Sequence, residues 1–175
     1  MTIIYLSFGS NIGNRKKNIE KALSVLDKNK IAEIKISSLY ETEAVGPKQR
    51  NFYNVAGKFK TELLPDELLK KLKQIEKELG RAETYHWGPR VIDIDILFYG
   101  KKVVKTKNLT VPHKEISNRA FVLVPLKEIS PAFVHPVLRK QVKTLCVNLT
   151  QNKAVKRIEK IWYFWYNLLN LAVKA

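Results

Sequence analysis

Two hydrophobic periods alternate along the chain, and each change of period marks a new element. Residues 3–8 (IIYLSF) form an apolar run of strand length. GSNIGN follows as a turn, and Asn14 is placed to cap a helix starting near Arg15, since its side-chain oxygen can accept an unpaired first-turn amide. Ile19, Ala22, Leu23 and Leu26 then recur at helical spacing. Residues 31–40 read as a strand, with Ile34, Ile36 and Tyr40 alternating against Lys35 and Ser37. A loop over 41–51, broken at Gly46-Pro47, leads to a further strand over 52–61. The best-marked helix comes next: Pro65, Asp66 and Glu67 in the first turn, Leu68, Leu69, Leu72, Ile75 and Leu79 on one face, and Gly80 as its stop.

After an irregular stretch over 81–90, residues 91–98 (VIDIDILF) return to strand spacing, followed by a turn at Gly100 and a short strand at Val103-Val104. The order β-α-β-β-α-β with an added hairpin predicts an α+β, ferredoxin-like core: an antiparallel sheet flanked by helices. Residues 117–129 read as a short helix interrupted by Pro125, and beyond Pro136 the pattern is helical to the last residue. No internal repeat and no linker precedes residue 139. The expectation is one domain over 1–150 and a basic, aromatic helical tail over 151–175 without a catalytic residue, so that a chain cut after Asn152 keeps its activity.

The chain of 175 residues is 45 % hydrophobic, with few glycines and prolines, as a globular chain is. Its length allows one domain that buries about two thirds of its unfolded surface. Cys146 has no cysteine partner, and MTIIYLSF lacks a basic n-region and a cleavage pattern, so we expect a cytoplasmic chain without a signal peptide. The net charge of +16 suits nucleic acid, anionic lipid or a phosphorylated small molecule. Much of that excess lies after residue 138, where eight basic residues meet one acid.

The strand VIDIDILF carries the chemistry. Ile92, Ile94 and Ile96 point to one face, so Asp93 and Asp95 share the other. Two strand residues advance about 6.6 Å, where two negative charges repel by roughly 2.5 kcal/mol at an effective dielectric near 20. A solvated face with Arg or Lys partners would offset that repulsion, and so would a hard cation, since Mg²⁺ commonly takes one or two carboxylates and completes its shell with water and phosphate oxygens. D-x-D alone does not decide between them. Trp87-Gly88-Pro89-Arg90 precedes the strand, Val111-Pro112-His113 follows a hairpin later, and Asn118-Arg119-Ala120-Phe121 comes next. Metal-binding acids, phosphate-binding bases and ring-stacking aromatics are thus close in sequence, although singly each fits a solvated Arg, a turn histidine or a core phenylalanine.

The segments FGSNIGNR, YETEAVGP, FYN, GR followed by WGPRVIDIDILFYG, then VPH and NRAFVLVPL, occur in that order. Together they resemble the 6-hydroxymethyl-7,8-dihydropterin pyrophosphokinases of folate biosynthesis, from residue 2 to about residue 145. The resemblance implies transfer of pyrophosphate from ATP to the pterin hydroxymethyl group with release of AMP. It implies that Asp93 and Asp95 hold two Mg²⁺ ions, that Arg90, His113 and Arg119 bind phosphate, and that Arg81 and Trp87 belong to a mobile nucleotide-side loop. It further implies that Phe52 and Phe121 sandwich the pterin, that Asn54 bonds its polar edge, and that the backbone from Thr42 to Val45 covers the rest. Glu83 stands where many members have a second Arg, and the loop from Arg81 to Trp87 is slightly short. The loops at Val45-Gly46-Pro47 and 83–86 are expected to close over bound substrates. GSNIGN lacks the Lys-Ser/Thr ending of a phosphate loop and stays a turn.

A basic nucleic-acid-binding module and a two-metal nuclease are the competing classes. No RRM, zinc or helix-turn-helix pattern is present, and two acids within a sheet repel a phosphate backbone unless metals intervene. The expected partners are ATP and the reduced pterin, with no nucleic acid. In the tail, Lys153, Lys156, Arg157 and Lys160 precede the apolar stretch 161–173, which is shorter than the about 20 residues of a spanning helix. Packing on protein, lying on an anionic membrane and remaining unfolded are all open to it.

Overall fold

The structure is a computed structural model that describes residues 1–82, 88–149 and 154–161. Its central sheet has the strand order β5-β1-β4-β3-β8, with β2 pairing a further stretch of β4 and every pair antiparallel. The strands are β1 (Thr2–Ser10), β2 (Ile31–Ile36), β3 (Leu39–Thr42), β4 (Phe52–Thr61), β5 (Asp93–Tyr99) and β8 (Val155–Glu159). β6 (Val104–Lys105) and β7 (Thr110–Val111) form a small separate hairpin.

Helix α1 (Arg15–Leu26) starts where Asn14 accepts the amide of Lys17 at 3.1 Å. Helix α2 (Pro65–Glu78) starts where the Glu67 carboxylate accepts the amide of Leu64, and ends before Gly80, whose φ of +90° suits a residue without Cβ. Both pack on one face of the sheet. Ile19 and Leu23 of α1 and Leu68, Leu72 and Ile75 of α2 meet Ile4, Leu6 and Phe8 of β1 and Ile94 and Ile96 of β5 in one buried cluster. Each fully buried aliphatic contributes about 1.5–3 kcal/mol, and Leu72→Ala would cost about 2–5 kcal/mol. This is the ferredoxin-like core read from the order of elements.

The opposite face carries α3 (Ala120–Ile129) and α4 (Val142–Val147), packed over Tyr5, Ala56, Leu97 and Phe98. β5 serves both faces because its pairing with β1 shifts register between Tyr5 and Leu6, which leaves Leu97 as an extra residue. The alternation that sends Ile94 and Ile96 to α2 is thereby reset. Leu97 and Phe98 cover the second core, while Asp93 and Asp95 keep to that same second face.

Four expectations need correction. The strand over 31–40 is broken at Ser37-Ser38, whose hydroxyls are drawn into other bonds: Ser37 Oγ accepts the amide of Ala56, and Ser38 donates to Glu128. Pro125 does not interrupt its helix; α3 runs through it, and the break falls at Arg119, extended at φ −109° and ψ 99° between a 3₁₀ turn over Ile116–Asn118 and α3. The second hairpin strand is Val104–Lys105, one residue later than read. Beyond Pro136 the chain is not one helix: α4 is short, and Val155–Glu159, assigned to a helical tail, pairs with β3 as the sheet's edge strand. Alternation in VKRIE was hidden by the basic residues around it. All of the apolar stretch 161–173 except Ile161 lies outside the described residues, and among those that are described no helix is long and apolar enough to cross a membrane.

Candidate active site

A cavity of about 520 Å³ opens on the second face of the sheet, between the ends of β1, β3, β4 and β5 and the first turn of α3. Its walls bring together Thr42, Val45, Phe52, Asn54, Arg90, Asp93, Asp95, Arg119 and Phe121, nine of the residues singled out in the sequence. The placement follows from register. Asp93 pairs with Gly9 and Asp95 with Ser7 across β5 and β1, while Asn54 pairs with Gly9 from β4 on the other side. Gly9 therefore sits between the acids and the amide, and an added Cβ there would lie 3.3 Å from Asn54 Oδ1 and 3.6 Å from the Phe52 ring. The missing side chain leaves room on the cavity floor.

At one end, Asn54 is 5 % exposed and its Nδ2 donates to Thr42 Oγ1 at 2.8 Å, which leaves its carbonyl oxygen beside Gly9. Phe52 and Phe121 line the same space, and the Arg119 guanidinium lies 5.6 Å from the Phe121 ring. At the other end, Asp93 is held by two cations: Arg90 Nη1 to its Oδ2 at 2.8 Å and Arg81 Nη1 to its Oδ1 at 2.7 Å. Asp95 is less well compensated. Its nearest cationic partner among the described residues is Arg119, at 4.0 Å, and burial, then the charge of Asp93, pushes its carboxyl above the usual carboxylate range. Burial holds His113 below the ordinary histidine value, while Asp95 pulls the other way. Its Nδ1 accepts the amide of Glu115 and its own amide donates to Leu97 O.

A family model for 7,8-dihydro-6-hydroxymethylpterin-pyrophosphokinase (HPPK) matches residues 5–131. The chain belongs to this family. It is 49 % identical over 144 residues to the 2-amino-4-hydroxy-6-hydroxymethyldihydropteridine pyrophosphokinase of Aquifex aeolicus, covering 82 % of this chain and 89 % of that protein. It is 44 % identical over 129 residues to the Bacillus subtilis protein of the same description, covering 73 % and 77 %. Its fold matches the wild-type HPPK-DHPS of Plasmodium falciparum with a TM-score of 0.67 at 19 % identity, covering 83 % of this chain and 40 % of that one. The chain thus spans about two fifths of that solved protein, and this likeness bears on the fold alone. The activity of the family, ATP-dependent transfer of pyrophosphate to hydroxymethyldihydropterin in folate biosynthesis, is the activity of this chain.

Against that identity, Arg81 and His113 stand near the cavity but are not among its walls. The side chain of Arg81 turns inward, paired with Asp93 and with Glu76, a glutamate 1 % exposed on α2. Trp87 and the segment 83–86, including Glu83, lie outside the described residues. Sequence reasoning missed Gly9 and Asn11. Asn11 is 3 % exposed; its Oδ1 accepts the amide of Arg90 at 2.7 Å, and its Nδ2 donates to Gln49 Oε1 and to Arg50 O. It ties the turn after β1 to the loop over 43–51 and to the approach of β5. Both residues sit in FGSN, read only as a turn and helix cap. It missed Glu76 as well, which accepts the amide of Ile94, between the two acids, at 2.6 Å. Asn148, Leu149 and Val155, all beyond the matched residues, also line the cavity.

Proposed function

We propose that the cavity binds ATP at the acid end and the reduced pterin at the aromatic end, and that pyrophosphate passes between them. The observation that carries this reading is that Asp93, Asp95, Asn54, Phe52 and Phe121 line one cavity. At the pterin end, Phe52 and Phe121 offer aromatic faces to a flat bicyclic ring, and Asn54 offers an amide to its amide edge. Thr42 fixes the Asn54 amide by accepting one of its N–H bonds, and the backbone from Thr42 to Val45 closes that side.

At the acid end the residues fit a pair of Mg²⁺ ions. The donors are hard oxygens on one strand face, and the under-compensated Asp95 carboxylate gains most from a cation. Asp93 and Asp95 would hold the ions, which when bound neutralise charge on the phosphates of ATP. Arg90, Arg119 and His113 would bind phosphate oxygens, with Arg81 and Trp87 on the nucleotide side. The pterin hydroxymethyl oxygen attacks the β-phosphorus, the bond to the α,β-bridging oxygen breaks, and AMP leaves; the hydroxyl proton passes to solvent or phosphate. The protein supplies alignment and charge, with no covalent nucleophile.

Arg81 and Arg90 both pair with Asp93, so a phosphate oxygen bound by either guanidinium would compete with that carboxylate. We assign no nucleic acid as partner, because the acid pair and an aromatic-lined cavity suit a small heterocycle. We place the chain in the cytoplasm on its unpaired cysteine. Electron paramagnetic resonance of Mn²⁺ with α,β-methylene-ATP tests the metal assignment. Two ions per chain are expected in the wild type and fewer in Asp95→Asn; two ions in both Asp93→Asn and Asp95→Asn would remove the acids from that role.

A further inference from the structure

Strand β8 lies outside the residues matched by the family, yet it forms part of the cavity. Val155 pairs with Thr42 in register, and Thr42 holds Asn54 through the 2.8 Å bond already described. Val155 is half-buried and lines the cavity, whereas 156–159 are exposed. A strand with so little apolar burial is kept in place by its pairing and by polar ties. Three such ties are present. Arg157 Nε donates to Ser38 Oγ at 2.9 Å; Arg157 Nη2 lies 3.7 Å from Glu128 Oε1; and Glu159 pairs with Lys16 of α1 at 2.7 Å.

Glu128 makes the arrangement more than an edge strand. From α3 it also accepts the amide and hydroxyl of Ser38 and the hydroxyl of Tyr40, each at 2.9 Å. Arg157 therefore joins β3, which carries Thr42, to α3, whose first turn carries Phe121. These are the polar edge and one aromatic face of the site to which we assign the pterin, and the inference rests on that assignment.

We propose that β8 is a specificity element for the pterin, with Val155 as a wall of its pocket and Arg157 as a positioning residue that sets the spacing of Thr42-Asn54 against Phe121. The ligand class is a flat bicyclic heterocycle with an amide edge. A chain cut after Asn152, expected from sequence to keep its activity, loses this wall and needs far more pterin for the same rate.

The test is fluorescence titration of the full chain with 6-hydroxymethyl-7,8-dihydropterin in saturating α,β-methylene-ATP and Mg²⁺, beside steady-state KM and kcat. Arg157→Ala is expected to weaken pterin binding roughly five- to ten-fold, the net weight of one ordinary hydrogen bond, with nucleotide affinity and kcat little changed. Arg157→Lys restores most of it, since an ammonium can reach Ser38 and Glu128. Val155→Ala leaves every tie in place and serves if Arg157→Ala does not fold; it weakens pterin about three-fold. Asn54→Ala is the control for the assignment of the pterin end. Loss of pterin affinity in Asn54→Ala but not in the β8 variants overturns the role of β8 alone. No loss in Asn54→Ala overturns the assignment and the inference together. Equal weakening of pterin and nucleotide shows general loosening and overturns the inference.

Discussion

Arg90 Nη1 lies 2.8 Å from Asp93 Oδ2, so a cation that we assign to phosphate rests on a carboxylate that we assign to metal. Arg81 does the same to the other oxygen of Asp93. The two guanidiniums neutralise Asp93, which reduces the cost of holding two acids on one strand face. Asp95 receives least of that help and is the informative position.

Asp95→Asn separates stability from function. A carboxyl whose folded value is raised favours the folded state below its unfolded value and loses that contribution as pH rises through the folded value, so a negative charge on Asp95 opposes folding. Removing its charge is expected to raise the melting temperature by about 2–4 °C and to reduce turnover by more than about 100-fold. Mg²⁺ with nucleotide should raise the wild-type melting temperature more than that of the variant. Thermal unfolding beside a rate assay reads both; wild-type turnover in the variant would remove Asp95 from the chemistry.

Gly9→Ala tests the cavity floor. Its Cβ would crowd Asn54 Oδ1 at 3.3 Å and touch the Phe52 ring at 3.6 Å in a strand that otherwise accepts alanine. The expected outcome is a pterin KM raised about three- to ten-fold with an unchanged circular dichroism spectrum and an unchanged KM for ATP. An unaltered pterin KM would place the ring elsewhere.

His135 predicts an acid limit to stability that is independent of the site. It is 4 % exposed, its Nδ1 accepts the amides of Val137 and Leu138 at 3.2 and 3.1 Å, and its ring meets Phe98 edge-on. Burial lowers its pKa, so it favours the folded state above the ordinary histidine value, and that contribution is lost as pH falls through the folded value. Denaturant midpoints should fall as pH drops below about 6.5, and less so in His135→Asn, whose amide oxygen can accept the same bonds without taking a proton. Parallel pH profiles for the two chains would refute the role of His135.

Much of this was legible in the sequence because the relevant signals are local. The period-two run around Asp93 and Asp95 sets both acids on one face, and Asn14, Pro65 and Gly80 mark helix ends by their own chemistry. What escaped depends on distant partners. The split at Ser37-Ser38 is caused by Glu128, far along the chain, and the strand over Val155–Glu159 is defined by β3, which no local pattern announces. Gly9 and Asn11 looked like turn residues because their importance lies in what β4, β5 and the loop over 43–51 bring beside them.

The most direct measurement is product analysis with ATP, Mg²⁺ and 6-hydroxymethyl-7,8-dihydropterin, using ATP labelled in the β-phosphate. One AMP per pterin consumed and the β-label in the pterin product are expected, with both reduced by more than about 100-fold in Asp95→Asn. Release of ADP, AMP formation that requires RNA or DNA instead of pterin, or a β-label left on the nucleotide would contradict pyrophosphate transfer to the pterin.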